Sequence, residues 1–215
     1  MSAERESPLE VRIGTMGLEG LLRVPADALA IVVFAHGSGS SRLSPRNTLV
    51  AEEFARHGLA TLLFDLLTEE ESDDRRNVFD IALLGKRVSE ALVWARRQHA
   101  LPVGLFGAST GAAAALVAAA RQPEEVAAVV SRGGRPDLAG EWLARVRAPT
   151  LLIVGGLDRQ VLELNRRAAA LLTCEQSVVV IPGATHLFEE PGALEQVVEH
   201  ARGWFLGHLV AERRG

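Results

Sequence analysis

The residues with the clearest chemical potential are Ser109, Asp158 and His186, each set in or just beyond a glycine-containing turn. Ser109 is the centre of Gly107-Ala108-Ser109-Thr110-Gly111, a G-x-S-x-G pattern. A short apolar run, residues 101–106, leads into it, and residues 112–120, almost all alanine, lead out. Alanine is the best helix former, so the chain should turn sharply there from a buried strand into a helix. Such a turn holds the serine oxygen clear of the backbone. Glycine suits both flanks, because a larger side chain would meet a neighbouring strand or helix. A serine hydroxyl is a poor nucleophile at neutral pH and needs a positioned base. An imidazole, whose ordinary pKa is near ~6.5, can take the proton and later return it to a leaving group. His186 is placed to be that base, and Asp158 to orient the ring and stabilise its protonated form. The backbone N–H groups of Ser38 and Thr110 can form an oxyanion hole, each donor worth roughly 3–4 kcal/mol in such sites.

Each residue also has a plainer reading. Ser109 could be a helix N-cap, and Asp158 could pair with Arg159. Asp137, which follows the preceding strand, is the reserve candidate for the acid. Ser38 belongs to His36-Gly37-Ser38-Gly39-Ser40-Ser41, a glycine-rich turn at the carboxyl end of a strand, where open α/β sheets place ligands. A phosphate-binding loop would need the lysine that this turn lacks. His36 is read as tying the turn together by hydrogen bonds rather than as a catalyst.

These positions depend on the elements between them. Leu9–Ile13 and residues 18–24 read as short strands joined through Gly14 and Gly17, a hairpin at one sheet edge. Ala30–Ala35 is a continuous apolar run of strand length, buried on both faces. Ser44-Pro45 caps and opens a helix that runs to about His57 and stops at Gly58. Leu59–Phe64 is the next buried strand. Residues 65–76 read as a polar acidic loop, its carboxylates solvated and Glu69 placed to border the site. Val78, Ile81, Gly85, Val88, Leu92 and Ala95 recur at steps of three and four, the stripe of a long amphipathic helix; Trp94 beside it is packing. Residues 126–130 form another strand, and 138–146 are at most a short helix. Then come a strand at 150–154, a helix at 162–172, a strand at 177–181 and a terminal helix marked by Leu194, Val197, Ala201 and Phe205, with His208 near its end a structural or surface residue. From Ala30 onward strand and helix alternate, which implies a parallel sheet with helices on both faces. All its carboxyl ends gather on one edge, and Ser109, Asp158 and His186 each follow a different strand there.

Composition bounds the rest. The 215 residues suit a single domain over 1–215, with nearly half of them hydrophobic and about a quarter charged. A net charge of −4 gives no electrostatic case for nucleic acid or an anionic membrane. The one cysteine, Cys174, excludes an internal disulfide, and no Cys/His spacing points to zinc. The start, Met1-Ser2-Ala3-Glu4-Arg5-Glu6, is polar with no apolar h-region, and no apolar run has the length of a membrane span. The expected setting is the cytoplasm, and no sequence feature sets an oligomeric state.

Taken together, the turn at 36–41, the pentapeptide at 107–111, Gly155 to Asp158 and Ala184-Thr185-His186 resemble an α/β-hydrolase of the dienelactone-hydrolase-like group. The order Ser, Asp, His along the chain is that of the superfamily. The resemblance covers nearly the whole chain and implies an eight-stranded, mostly parallel sheet, a hydrolytic triad, no metal and no organic cofactor. Dienelactone hydrolases proper use a cysteine nucleophile, whereas Ser109 stands in this elbow and Cys174 lies far from it, so serine esterase chemistry is expected in place of dienelactone hydrolysis itself. Similar domains occur fused to phosphoribosyltransferase-like domains, and none is expected within these residues. Fewer than twenty residues separate the strand ending at Val130 from the one starting at Thr150, which leaves no room for a lid domain. The site should be open to small, soluble acyl substrates, with no interfacial activation on lipid.

The expected activity is therefore hydrolysis of small carboxylic esters or lactones through an acyl-enzyme. A thioesterase or amidase shares the same machinery, and a receptor or scaffold that kept the fold without turnover is the alternative from another class. Arg132, two residues past the run at 126–130 and followed by two glycines, is a candidate to grip a substrate carboxylate. Its plainer reading is a surface salt bridge to Glu69, Glu70 or Glu71. Arg135 is a weaker candidate of the same kind.

Overall fold

The alternation of apolar runs and amphipathic segments becomes alternating strands and helices in the computed structural model, which describes residues 7–210. Residues 1–6, whose polar character argued against a signal peptide, lie outside that range. The strands are β1 (Leu9–Ile13), β2 (Leu18–Arg23), β3 (Ala30–Ala35), β4 (Leu59–Phe64), β5 (Val103–Ala108), β6 (Ala128–Arg132), β7 (Thr150–Gly155) and β8 (Gln176–Ile181). The helices are α1 (Pro45–Ala55), α2 (Glu69–Ser72), α3 (Arg75–Val78), α4 (Ile81–Gln98), α5 (Thr110–Arg121), α6 (Arg159–Ala169) and α7 (Ala193–Leu209).

The strands form one sheet in the order β1-β2-β4-β3-β5-β6-β7-β8. The hairpin β1–β2 and its junction with β4 are antiparallel, and every other pairing is parallel. This is the mostly parallel α/β architecture that the alternation predicts. Strands β3, β4, β5, β6 and β7 are buried along their whole length, as apolar runs without polar alternation require. On one face of the sheet, α4 and α5 cover Ile31, Val33, Leu62, Leu105 and Val129. On the other, α1 and α7 cover Val32, Phe34, Phe106 and Val130. There Phe54 of α1 stands edge-on to Phe106 and to Phe205 of α7, with ring centroids 5.9 and 5.7 Å apart. Each such ring removed from water contributes about 1.5–3 kcal/mol, so this face ties α1, β5 and α7 into one body.

Some boundaries depart from the sequence expectation. The strand expected at 126–130 is paired over Ala128–Arg132, because Ser131 and Arg132 continue the ladder opposite Gly107 and Ala108. Arg132 therefore ends a strand and is not a loop residue. The acidic stretch at 65–76 is not all loop. Thr68 and Glu71 form a reciprocal capping box that starts α2, and the Asp74 carboxylate accepts from the Arg76 amide to start α3. The long helix begins at Ile81, later than the apolar stripe, because the Asp80 side chain accepts from the Leu83 amide and caps it. Helix α6 begins at Arg159, directly after Asp158. Between β6 and β7 the chain makes only a 3₁₀ segment, Pro136–Arg145, interrupted at Gly140 and packed on α5. Among the described residues no helix is long and apolar enough to cross a membrane.

Candidate active site

At the carboxyl end of β5 the chain reverses into α5 through Ser109, whose φ of 50° and ψ of −123° lie outside the ordinary regions for a side-chain-bearing residue. Such a conformation costs on the order of 1–3 kcal/mol and needs surroundings that enforce it. Those surroundings are on both sides. A Cβ on Gly107 would strike the backbone of Ala112, and one on Gly111 would strike the carbonyl oxygens of Ala35 and His36. The elbow is thus pressed between its own helix and strand β3. Its backbone is held by Ser109 N donating to Arg132 O at 3.3 Å, and by Arg135 N donating to Ser109 O at 3.0 Å. Ser109 stands at the N-cap position of α5, yet its side chain caps nothing. The N-cap reading of this serine fails.

Asp158 behaves in the same way. It stands at the N-cap of α6 without a capping bond, although a carboxylate cap is ordinarily worth about 1 kcal/mol. Its Oδ2 instead accepts from His186 Nδ1 at 2.7 Å. That bond requires the Nδ1–H form of the ring and leaves Nε2 facing away from the acid. The aspartate side chain is 17% exposed and the histidine 38%, so the acid is the more buried partner of the bond. The pairing with Arg159 does not occur. Asp137, the reserve acid, is engaged elsewhere, its two oxygens each accepting from Arg135 at 2.8 Å. Arg135 is accordingly committed to Asp137.

The elbow and His186 meet through one dipeptide. Arg132 accepts from the Ser109 amide, and the next residue, Gly133, lies where a Cβ would be 3.1 Å from His186 O and 3.7 Å from His186 Cε1. Gly133 has φ +51°, so it is required both by conformation and by the approach of the histidine loop.

The turn after β3 forms the floor of a cleft of about 640 Å³ lined by Gly37, Ser38, Asp65, Leu66, Glu69 and Thr110, among others. Glu69 borders it as expected. His36 is fixed beneath. Its Nε2 accepts from the Leu66 amide at 3.1 Å, which forces Nδ1 to carry the proton and donate to Gly37 O at 2.9 Å. Burial pushes this imidazole below its ordinary pKa, against the smaller opposing pull of Gly37 O and Asp65. The ring is a neutral strut between β3 and β4, as the sequence reading holds. The Ser38 amide donates to Thr110 Oγ1 at 3.0 Å. Thr110 itself is the first residue of α5, so its amide has no carbonyl within the helix to pair with.

Arg132 departs from its plainer sequence reading as a surface salt bridge. It is 9% exposed, its guanidinium lies 6.0 Å from the centre of the Phe106 ring, and it makes no salt bridge to the acidic stretch. Glu71 pairs with Arg87 at 2.7 Å instead. Arg132 Nη1 is fully buried without a hydrogen-bond partner. Burial, with a smaller push from the Arg46 charge, lowers its pKa to about 10. The side chain lies on the α1/α7 face, outside the cleft lining.

Several supporting residues escaped the sequence reading. Glu190 Oε1 accepts from the Thr185 amide at 3.0 Å and from its hydroxyl at 2.6 Å, which clamps the loop carrying His186. Phe188, buried at φ 55°, turns that loop back into the core. Asn165, wholly buried on α6, donates to Gly134 O at 2.9 Å and steadies the turn after β6. Only Asn165 left a trace in the sequence, as an amide on the inward side of an amphipathic helix.

A family model described as alpha/beta hydrolase fold matches residues 30–180. The crystal structure of a dienelactone hydrolase from Anabaena variabilis is 54% identical, with a TM-score of 0.89, covering 94% of this chain and 97% of that one. Est1E from Butyrivibrio proteoclasticus shares the fold at 16% identity, with a TM-score of 0.79 and 94% and 99% of the two chains covered. Two Mycobacterium tuberculosis proteins, of strains CDC 1551 and H37Rv, are each 58% identical over 208 residues, or 95% of this chain, and are named as candidate phosphoribosyl transferases. The chain spans 47% of their length, about half. With the sheet order, the elbow at Ser109 and these matches in hand, the chain belongs to the α/β-hydrolase superfamily, in its dienelactone-hydrolase-like group.

Proposed function

We propose that the chain is a serine hydrolase cleaving small, soluble carboxylic esters or lactones through an acyl-enzyme. One observation carries the reading: Asp158 leaves its own helix uncapped and holds His186 Nδ1 at 2.7 Å. A fold built for stability alone would use that carboxylate on the helix. In the proposed reaction Ser109 Oγ bonds to the carbonyl carbon as its proton passes to His186 Nε2. The carbonyl π electrons move onto oxygen, where the Thr110 and Ser38 amides are the assigned donors. Collapse expels the alcohol, which takes the proton from His186. Water then repeats the sequence and releases the acid. The Anabaena relative's name favours lactones within this class, while the serine favours ester chemistry. For the longer Mycobacterium tuberculosis relatives, we assign this hydrolysis to the part that the chain matches and leave phosphoribosyl transfer to the rest.

The direct test is labelling by a fluorophosphonate probe together with turnover of short p-nitrophenyl esters; labelling and turnover are both expected. Labelling without turnover of any ester, lactone, thioester or amide supports a non-turnover receptor and overturns the hydrolase reading.

Arg132 is the proposed contact for substrates whose acyl part ends in a carboxylate; because its Nη1 is buried without a partner on the α1/α7 face, that role requires the guanidinium to swing out toward the elbow. The Arg132→Ala variant is expected to lose kcat/KM on an acidic ester by about 1.5–3 kcal/mol more than on its neutral counterpart, the worth of a charged hydrogen bond. Equal losses on the paired substrates remove Arg132 from substrate recognition.

A further inference from the structure

Thr110 is one of the residues lining the cleft and is only 4% exposed. Its hydroxyl oxygen accepts from the Ser38 amide at 3.0 Å. A threonine hydroxyl has its own proton to give as well, and no acceptor for that proton occurs among the described residues. Two consequences follow from this one bond. The Ser38 amide already has a partner, so its action on a developing negative charge must pass through, or displace, the Thr110 oxygen. The Thr110 hydroxyl, for its part, is polarised by the donor behind it, which strengthens it as a donor in turn. The same residue carries the free amide at the start of α5 and follows Ser109 directly.

We propose that Thr110 is a catalytic residue through its side chain, with Oγ1–H donating to the oxyanion formed on Ser109 attack and the Ser38 amide acting behind it. No proton changes owner in this contact. The Ser109 Oγ–carbon bond forms, the π pair moves to oxygen, the serine proton goes to His186, and the oxyanion accepts from both the amide and the hydroxyl of Thr110. This rests on the serine-hydrolase reading and revises only how the oxyanion is held. The free donor belongs to a cleft-lining residue and has no alternative structural use, which separates it from the ordinary threonine at the start of a helix.

The test compares Thr110→Val, which keeps the shape and loses the O–H, with Thr110→Ser, which keeps the O–H. On a short p-nitrophenyl ester the valine variant is expected to lose kcat by about 10–100-fold, within or below the range for one oxyanion donor, with KM little changed. The serine variant should restore most of that kcat. The decisive readout is the preference for the oxygen ester over the matching thionoester, whose sulfur is a poor acceptor. That preference should shrink in Thr110→Val and return in Thr110→Ser. Should the valine protein not fold, Thr110→Ala is read in the same way. Unchanged kcat in Thr110→Val overturns the proposal. So does an equal loss on both esters accompanied by a lower melting temperature, which would reduce the hydroxyl to a pin for the Ser38 turn. Either result leaves the hydrolase reading intact so long as Ser109→Ala remains inactive, whereas an active Ser109→Ala removes that reading itself.

Discussion

The Ser109→Ala variant is expected to lose both fluorophosphonate labelling and hydrolysis of short p-nitrophenyl esters, with kcat down on the order of 10⁴–10⁶-fold. Nucleophilic catalysis divides one hard step into two easier ones, and water attacking directly from solution does not replace the lost oxygen at a comparable rate. The fold should not notice. Ser109 Oγ caps no helix, and the backbone bonds of this residue are made by its amide and carbonyl, which alanine keeps. Alanine also carries the same Cβ through the same φ of 50°, so no strain is added or relieved. Thermal unfolding should stay within about 0.5 kcal/mol of wild type, as for substitutions that break no named contact. Retention of near wild-type turnover by this variant would rule out Ser109 as nucleophile.

The His186→Ala variant should cost about as much in kcat, because members of such a group act as a unit and the loss of one removes the benefit of the others. It differs in stability. Removing the ring leaves the Asp158 carboxylate, 17% exposed, without its partner, and an unpaired buried acceptor costs about 1–3 kcal/mol or more for a charged group. A lowered melting temperature alongside lost activity is therefore expected here and not for Ser109→Ala. The Asp158→Asn variant should lose on the order of 10³–10⁴-fold, since an amide can turn its NH₂ to Nδ1 and hold the wrong tautomer. Asp137→Asn should be near wild type, its oxygens being bound to Arg135. A silent Asp158→Asn beside a severe Asp137→Asn would move the acid to the turn after β6.

The sheet was legible in the sequence because its central strands are buried on both faces and so read as unbroken apolar runs. Ser109 was legible for a related reason. Its neighbours must be small to let α5 and β3 approach, and smallness is visible in a sequence. The edge of β6 was not, since hydrophobicity ended at Val130 while the backbone ladder went on through Ser131 and Arg132. A reading based on apolar runs stops where polar side chains begin, even when the sheet does not. The same limit hid α2 and α3, whose start depends on caps at Thr68 and Asp74 and not on an apolar stripe. The proposed oxyanion side was half legible: a glycine-rich turn announces where amides are available, but not that the Ser38 amide is already held by Thr110 Oγ1.

The backbone at Ser109 has one further meaning. At φ 50° and ψ −123° the residue best suited to the position is glycine, so a sequence optimised on this backbone for folding energy alone would replace the one side chain that the elbow exists to present. With Ser109 as the proposed nucleophile, stability and activity pull in opposite directions at this single position. Thermostabilising redesign of this scaffold must therefore hold residue 109 fixed by instruction, because nothing in its energetics would retain it.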